Sequence, residues 1–221
     1  MPAYAQALGL THTSIGKKLL MAVTGSILVL FVIGHMVGNL QFYLGPQAIN
    51  SYAQALRRFP PLLWTVRVVL LFCASVHVIA ALLTTVQSWR SRGRYRVPQR
   101  FQAATWSSRT MRWSGLALLG FVLYHLAHLT WGTAHSEFVE GAVYDNMITG
   151  FMNPVASAIY IATMLLLGTH MLHGIWSLFQ TLGVNSSRWT DRLRLLALGI
   201  TGAVVLGNIS IPVSVLAGWV G

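Results

Sequence analysis

Residues Tyr160 to Gly183, YIATMLLLGTHMLHGIWSLFQTLG, are apolar over a length that would cross a bilayer, yet they hold His170 and His173 near the middle. An ionisable side chain at membrane depth costs a few kcal/mol unless it faces the interior of a helical bundle and finds a partner there. An acid is a poor candidate for that partner, because the chain has only four Asp and Glu residues and Asp191 alone lies near this segment. A metal held by a neutral imidazole is the better one.

The rest of the chain agrees with a membrane setting. Of its 221 residues, 55% are hydrophobic and 9% charged, whereas a soluble domain carries about 25% charged residues. It reads as an integral membrane protein. The single cysteine, Cys73, excludes an intrachain disulfide, a Cys-rich iron–sulfur site and covalent haem attachment through C-x-x-C-H, so any haem must be held non-covalently. The formal charge of +11 would suggest nucleic acid in a soluble protein. Here the arginines cluster between apolar segments, where the excess of basic residues in cytoplasmic loops explains them, and no nucleic-acid partner is expected. The run after Lys17 and Lys18 is too long for a signal-peptide core and is expected to stay as a spanning helix.

Five stretches satisfy the requirement of roughly 20 apolar residues for a spanning helix: about 19–43, 62–88, 111–132, 155–180 and 195–218. The expected fold is all-α, one transmembrane bundle of five helices covering residues 1–221. Helix two follows Pro60 and Pro61, and helix four follows Asn153 and Pro154, a cap residue and then a proline at the first helical position. Pro212 should kink the last helix. Arg90, Arg92, Arg94, Arg96, Arg100, Arg109 and Arg112 lie between helices two and three, and Arg188, Arg192 and Arg194 between four and five. Both connections belong in the cytoplasm with Lys17 and Lys18; the connection with Glu137, Glu140 and Asp145 faces outward, and Arg57 and Arg58 on the other outer loop are outweighed. The amino terminus is expected inside and the carboxy terminus outside.

Four of these helices carry histidines: His35, His77, His125 with His128, and His170 with His173. His77 lies 11 residues before Ser88 and His170 lies 10 before Gln180, so both sit roughly 15 to 17 Å from the cytoplasmic ends at 1.5 Å per residue. His35 is 8 residues before Tyr43 and His125 is 7 before Gly132, roughly 10 to 12 Å from the outer ends. Two level pairs at two depths suit bis-imidazole ligation of two stacked b-type haems. Zinc would want four ligands in tetrahedral array, and a di-iron carboxylate bundle would want glutamates on the helices, where there is no acid at all.

His128 and His173 follow their neighbours by three residues and share nearly the same face. Depth favours His125 and His170 as the ligands, and leaves His128 placed to bond a propionate or a quinone carbonyl. His12 and His135 fall in loops. Gly25, Gly34, Gly38, Gly115, Gly120, Gly168 and Gly174 fit either clearance for a flat macrocycle or the ordinary small-residue contacts of membrane helices. Trp89, Trp113, Trp131 and Trp176 read as interfacial anchors. Arg67 either snorkels or meets a carboxylate, and Cys73 reads as a small packing residue.

The motifs GHMVGN around His35, SVHVIAALL around His77, LYHLAHLTWG around His125 and LGTHMLHGIWSLFQTLG around His170 resemble those of the cytochrome b membrane anchor of succinate dehydrogenase and fumarate reductase, in its single-subunit, five-helix, two-haem form. The resemblance covers essentially the whole chain. It implies His77 and His170 on the inner haem and His35 and His125 on the outer. It also implies a flavoprotein partner holding covalent FAD, an iron–sulfur partner docked against the arginine-rich loops, and a membrane quinone as electron partner in a bacterial-type cytoplasmic membrane. The chain would supply electron transfer and no catalytic residue of its own. Asn39, Gln41 and His128 are the quinone candidates, with His173 in a supporting polar role. Two rival readings are the cytochrome b subunit of a hydrogenase or formate dehydrogenase, whose soluble partners lie outside the cytoplasm, and a histidine-lined ion transporter, which would show no Soret band.

Overall fold

A computed structural model describes residues 13–92, 106–184, 186 and 188–220. His12, Arg94, Arg96 and Arg100 lie outside these residues. The elements in order are α1 (Ser14–Asn39), a 3₁₀ turn (Leu40–Leu44), α2 (Pro46–Arg57), α3 (Pro60–Arg92), α4 (Trp106–Leu129), α5 (Val143–Met152), α6 (Pro154–Thr181) and α7 (Thr190–Leu216). No strand occurs among the described residues.

Among the described residues, four segments are long and apolar enough to cross a membrane: Ser14–Leu44, Pro60–Arg90, Pro154–Thr181 and Thr190–Leu216. The remaining long helix, α4, is interrupted by Arg112, Tyr124, His125 and His128, which lower its hydropathy. Local chemistry explains where helices begin. Thr13 Oγ1 accepts the Gly16 N–H at 3.0 Å to cap α1. Asn153 Oδ1 accepts from Val155 and Ala156, with Pro154 at the first helical position of α6. The short α5 carries Asp145 in its first turn, and α7, which starts at Thr190, five residues before the apolar run, carries Asp191 in its own, so two helices do hold an acid. The ladder of backbone bonds continues past the apolar stretch there, and an acid near a helix N-terminus is favoured by the macrodipole.

α2 and α5 are absent from a reading based on apolar runs alone. They pack on each other at one end of the bundle, where the Tyr144 N–H donates to Asn50 Oδ1 at 3.1 Å. Asn146 clamps the preceding loop, accepting the Val139 N–H at 2.8 Å and donating to its carbonyl at 2.7 Å. Phe42, Ile49, Met147, Phe151, Tyr160, Ile211 and Val215 form a buried cluster that joins this end to α6 and α7. Arg90, Arg188, Arg192 and Arg194 mark the opposite end.

Along the bundle α6 packs on α7 and on α4, and α1 packs on α3, α6 and α7. The α1–α7 and α6–α7 contacts are close because glycine allows it. A Cβ at Gly207 would stand 2.6 Å from Met36 Sδ, and one at Gly168 would stand 2.8 Å from Val205 Cγ2. Val205 is β-branched and stiff, so Gly168→Ala is expected to force α6 from α7 at a cost of about 1–3 kcal/mol. A thermal unfolding scan in detergent checks this; an unchanged midpoint would show that the interface can give way. The interfacial tryptophans lie beside arginines, Arg112 over Trp89 at 5.6 Å and Arg194 over Trp176 at 4.9 Å. Arg67 lies 5.1 Å over Trp64, and Cys73 is buried.

Candidate functional site

The four histidines singled out by depth meet in two pairs. His77 on α3 and His170 on α6 have ring centroids 6.4 Å apart with planes at 57°. His35 on α1 and His125 on α4 are 5.8 Å apart at 83°. A metal–imidazole bond of roughly 2 Å and a centroid about 1.1 Å behind the nitrogen put two rings across one metal at about 6.3 Å. The observed separations lie close to that value. Each pair supplies only two donors, and no group of three or more His, Cys, Asp or Glu among the described residues is placed to hold a metal ion. Two imidazoles alone suit an iron whose remaining positions a porphyrin fills, and do not complete a zinc site.

The glycines divide by surroundings. A Cβ at Gly38 would meet the Tyr52 hydroxyl at 2.7 Å, so Gly38, like Gly168, serves packing. A Cβ at Gly34, Gly120 or Gly174 would meet nothing within 4 Å. At Gly25 it would lie 3.2 Å from His77 Cε1, and at Gly115 3.5 Å from His170 Cε1, so these rings rest against the backbone of neighbouring helices.

Hydroxyl groups hold three of the four paired imidazoles. Thr24 Oγ1 is 3.3 Å from His77 Nδ1, and Ser114 Oγ is 3.2 Å from His170 Nδ1. The Tyr160 hydroxyl lies 3.2 Å from His125 Nδ1 and 3.1 Å from His128 Nδ1, bridging the two. Thr24, Ser114 and Tyr160 are missing from the sequence-based site. A hydroxyl within an apolar helix ordinarily bonds its own preceding turn, and no feature of a single sequence distinguishes one that reaches a neighbour.

His128 is 3% exposed. It stacks on Tyr124 at 5.4 Å and on His135 at 4.9 Å, so His135 is a neighbour of the site and not an isolated loop residue. His135 Nε2 reaches Thr149 Oγ1 at 3.0 Å, and its Nδ1 is buried with no partner. His128, His135, Glu137, Thr149 and Asn153 line a polar cavity of about 200 Å³. Asn39, the last residue of α1, and Gln41, in the 3₁₀ turn, are half-buried at the same end of the bundle. His173 is half-buried one turn beyond His170. A larger groove of about 660 Å³ runs along α7 beside Tyr43 and Trp219. Its Ser210 and Ser214 hydroxyls already donate to Gly207 and Ile211 carbonyls, and Tyr43 bonds Ser214 at 3.1 Å.

A sequence profile described as "Succinate dehydrogenase/Fumarate reductase transmembrane subunit" matches residues 86–209, more than half of the chain. The match takes in His125 and His170; His35 and His77 precede it. No curated protein and no solved structure matched.

Proposed function

The chain belongs to the succinate dehydrogenase/fumarate reductase transmembrane-subunit family and is an integral membrane anchor of such a complex; from that premise we propose that it is the dihaem cytochrome b subunit, carrying electrons between an iron–sulfur partner and membrane quinone. The observation that carries this reading is the meeting of two imidazole pairs, 6.4 and 5.8 Å across, drawn from four different helices.

In this reading residues 1–221 form one domain with five spans, α1, α3, α4, α6 and α7, in a bacterial-type cytoplasmic membrane. The amino terminus and the arginine-rich end are cytoplasmic and the carboxy terminus is outside. His77 and His170 hold one haem b, and His35 and His125 the other. When bound, each haem supplies a reversible one-electron carrier. The protein's own groups do the rest. The imidazoles would bind the iron in their neutral form, and each pair would thereby tie two helices together, α3 to α6 and α1 to α4. The apolar helices keep bulk water from the iron, which lowers the local dielectric and strengthens each polar contact made there. Gly34, Gly120 and Gly174 leave room for a flat ring. The basic end docks the iron–sulfur subunit, behind which sits the flavoprotein with its FAD. At the opposite end Asn39, Gln41 and His128 offer hydrogen bonds to quinone, with His173 a supporting polar group near the first haem.

Pyridine haemochrome analysis of the purified complex is expected to give two haems b per chain, both reducible by succinate. One haem per chain, or none, would overturn the scheme.

A further inference from the structure

α1 and α4 carry the same spacing. Thr24–Gly25 stands on α1 with His35 ten residues after the glycine, and Ser114–Gly115 stands on α4 with His125 ten residues after it. Each dipeptide receives the imidazole of another helix, His77 against the first and His170 against the second. Both hydroxyls are buried, Thr24 at 5% and Ser114 at 2% exposure. A hydroxyl has one proton to give. Thr24 gives its proton to the Leu20 carbonyl at 2.6 Å, and Ser114 gives its own to the Met111 carbonyl at 3.2 Å. For Thr24 the carbonyl contact is much shorter than the 3.3 Å ring contact, which makes its oxygen an acceptor toward His77 and puts that ring's proton on Nδ1; Ser114 stands 3.2 Å from both of its partners, and the matched geometry extends the same assignment to His170. The neutral tautomer so selected has its lone pair on Nε2. The glycine that follows lets the ring lie against bare backbone, 3.2 and 3.5 Å from where a Cβ would stand.

We propose that Thr24–Gly25 and Ser114–Gly115 are matched cradles that fix His77 and His170 as Nδ1–H tautomers with Nε2 free to ligate, so that α1 and α4 each give a positioning cradle to one haem and an axial histidine to the other. This rests on the dihaem reading above. An imidazole whose N–H is held by an acceptor is the more basic ligand, and it favours the ferric state.

The test uses the assembled complex and a redox titration followed by visible and EPR spectra. Thr24→Val is nearly isosteric and keeps the packing; it is expected to retain two haems and to raise the midpoint of the His77–His170 haem. The change is about tenfold in the ferric-to-ferrous ratio, about 59 mV for one electron, with the other haem unmoved. Ser114→Ala should act alike, and it carries the test if Thr24→Val does not assemble. Thr24→Ser and Ser114→Thr keep the acceptor and should restore the wild-type value, which a packing defect would not predict. Variants with both midpoints unchanged, or with both haems displaced equally, overturn the cradles. The dihaem reading fails separately, if His77→Ala keeps both haems.

Discussion

Replacing His170 by alanine is expected to leave an assembled complex with one haem b per chain in place of two, the survivor being the haem of His35 and His125. The argument is one of geometry. His77 on α3 faces His170 across 6.4 Å, and truncation to alanine removes the only imidazole at that place on α6. His173 lies three residues on, about 4.5 Å further along the axis and rotated by some 60°, so it cannot occupy the same point without moving the helix. The macrocycle would be left with a single axial donor. His77→Ala should give the same spectrum, while His35→Ala and His125→Ala should remove the other haem and spare this one. Haemochrome quantitation and the loss of one of two low-spin EPR signals read the result. A His170→Ala complex with both haems at unchanged midpoints would transfer the ligand role to His173.

What the sequence allowed, and what it concealed, divides along one physical line. An α-helix rises by a constant amount per residue, so counting from segment ends paired His77 with His170 and His35 with His125, the rings found 6.4 and 5.8 Å apart. Asn153 and Pro154 announce the start of α6 because capping is local chemistry. The elements it concealed depend on distant partners. α2 and α5 are 12 and 10 residues long, too short to mark a span, and they exist because Ile49, Met147 and Phe151 are buried together. The glycines in the apolar helices all look alike in the sequence; only their surroundings separate Gly38, pressed on Tyr52, from Gly34, facing open space. Tyr160 opens the very stretch that points to a buried site, yet in a row of apolar residues it passes for core. Its hydroxyl gains meaning only once α4 is beside it.

That hydroxyl is the most consequential single oxygen at the His35–His125 pair. Tyr160 is 7% exposed, wedged edge-on between Phe121 at 5.0 Å and Phe151 at 4.9 Å, and bonded to both His125 and His128. With one proton it can donate to only one of them. If His125 ligates through Nε2, its Nδ1–H donates to Tyr160, and Tyr160 donates onward to His128 Nδ1. Tyr160→Phe keeps the ring and its aromatic contacts while stranding two imidazole nitrogens. An orphaned buried polar group costs about 1–3 kcal/mol, so a loss of ~2 kcal/mol is expected, a fall of roughly 4–8 °C in unfolding midpoint for a chain of this size. Because a ligand's outer partner sets metal affinity by 10- to 100-fold, retention of the His35–His125 haem should fall by about that factor while the His77–His170 haem stays. A double-mutant cycle with His128→Leu separates the two losses. Coupling between the sites means that the bridge acts as one unit, and simple additivity would show Tyr160 acting on His125 alone. Full retention of both haems in Tyr160→Phe would mean that His35 and its surroundings hold the cofactor without help from the bridge.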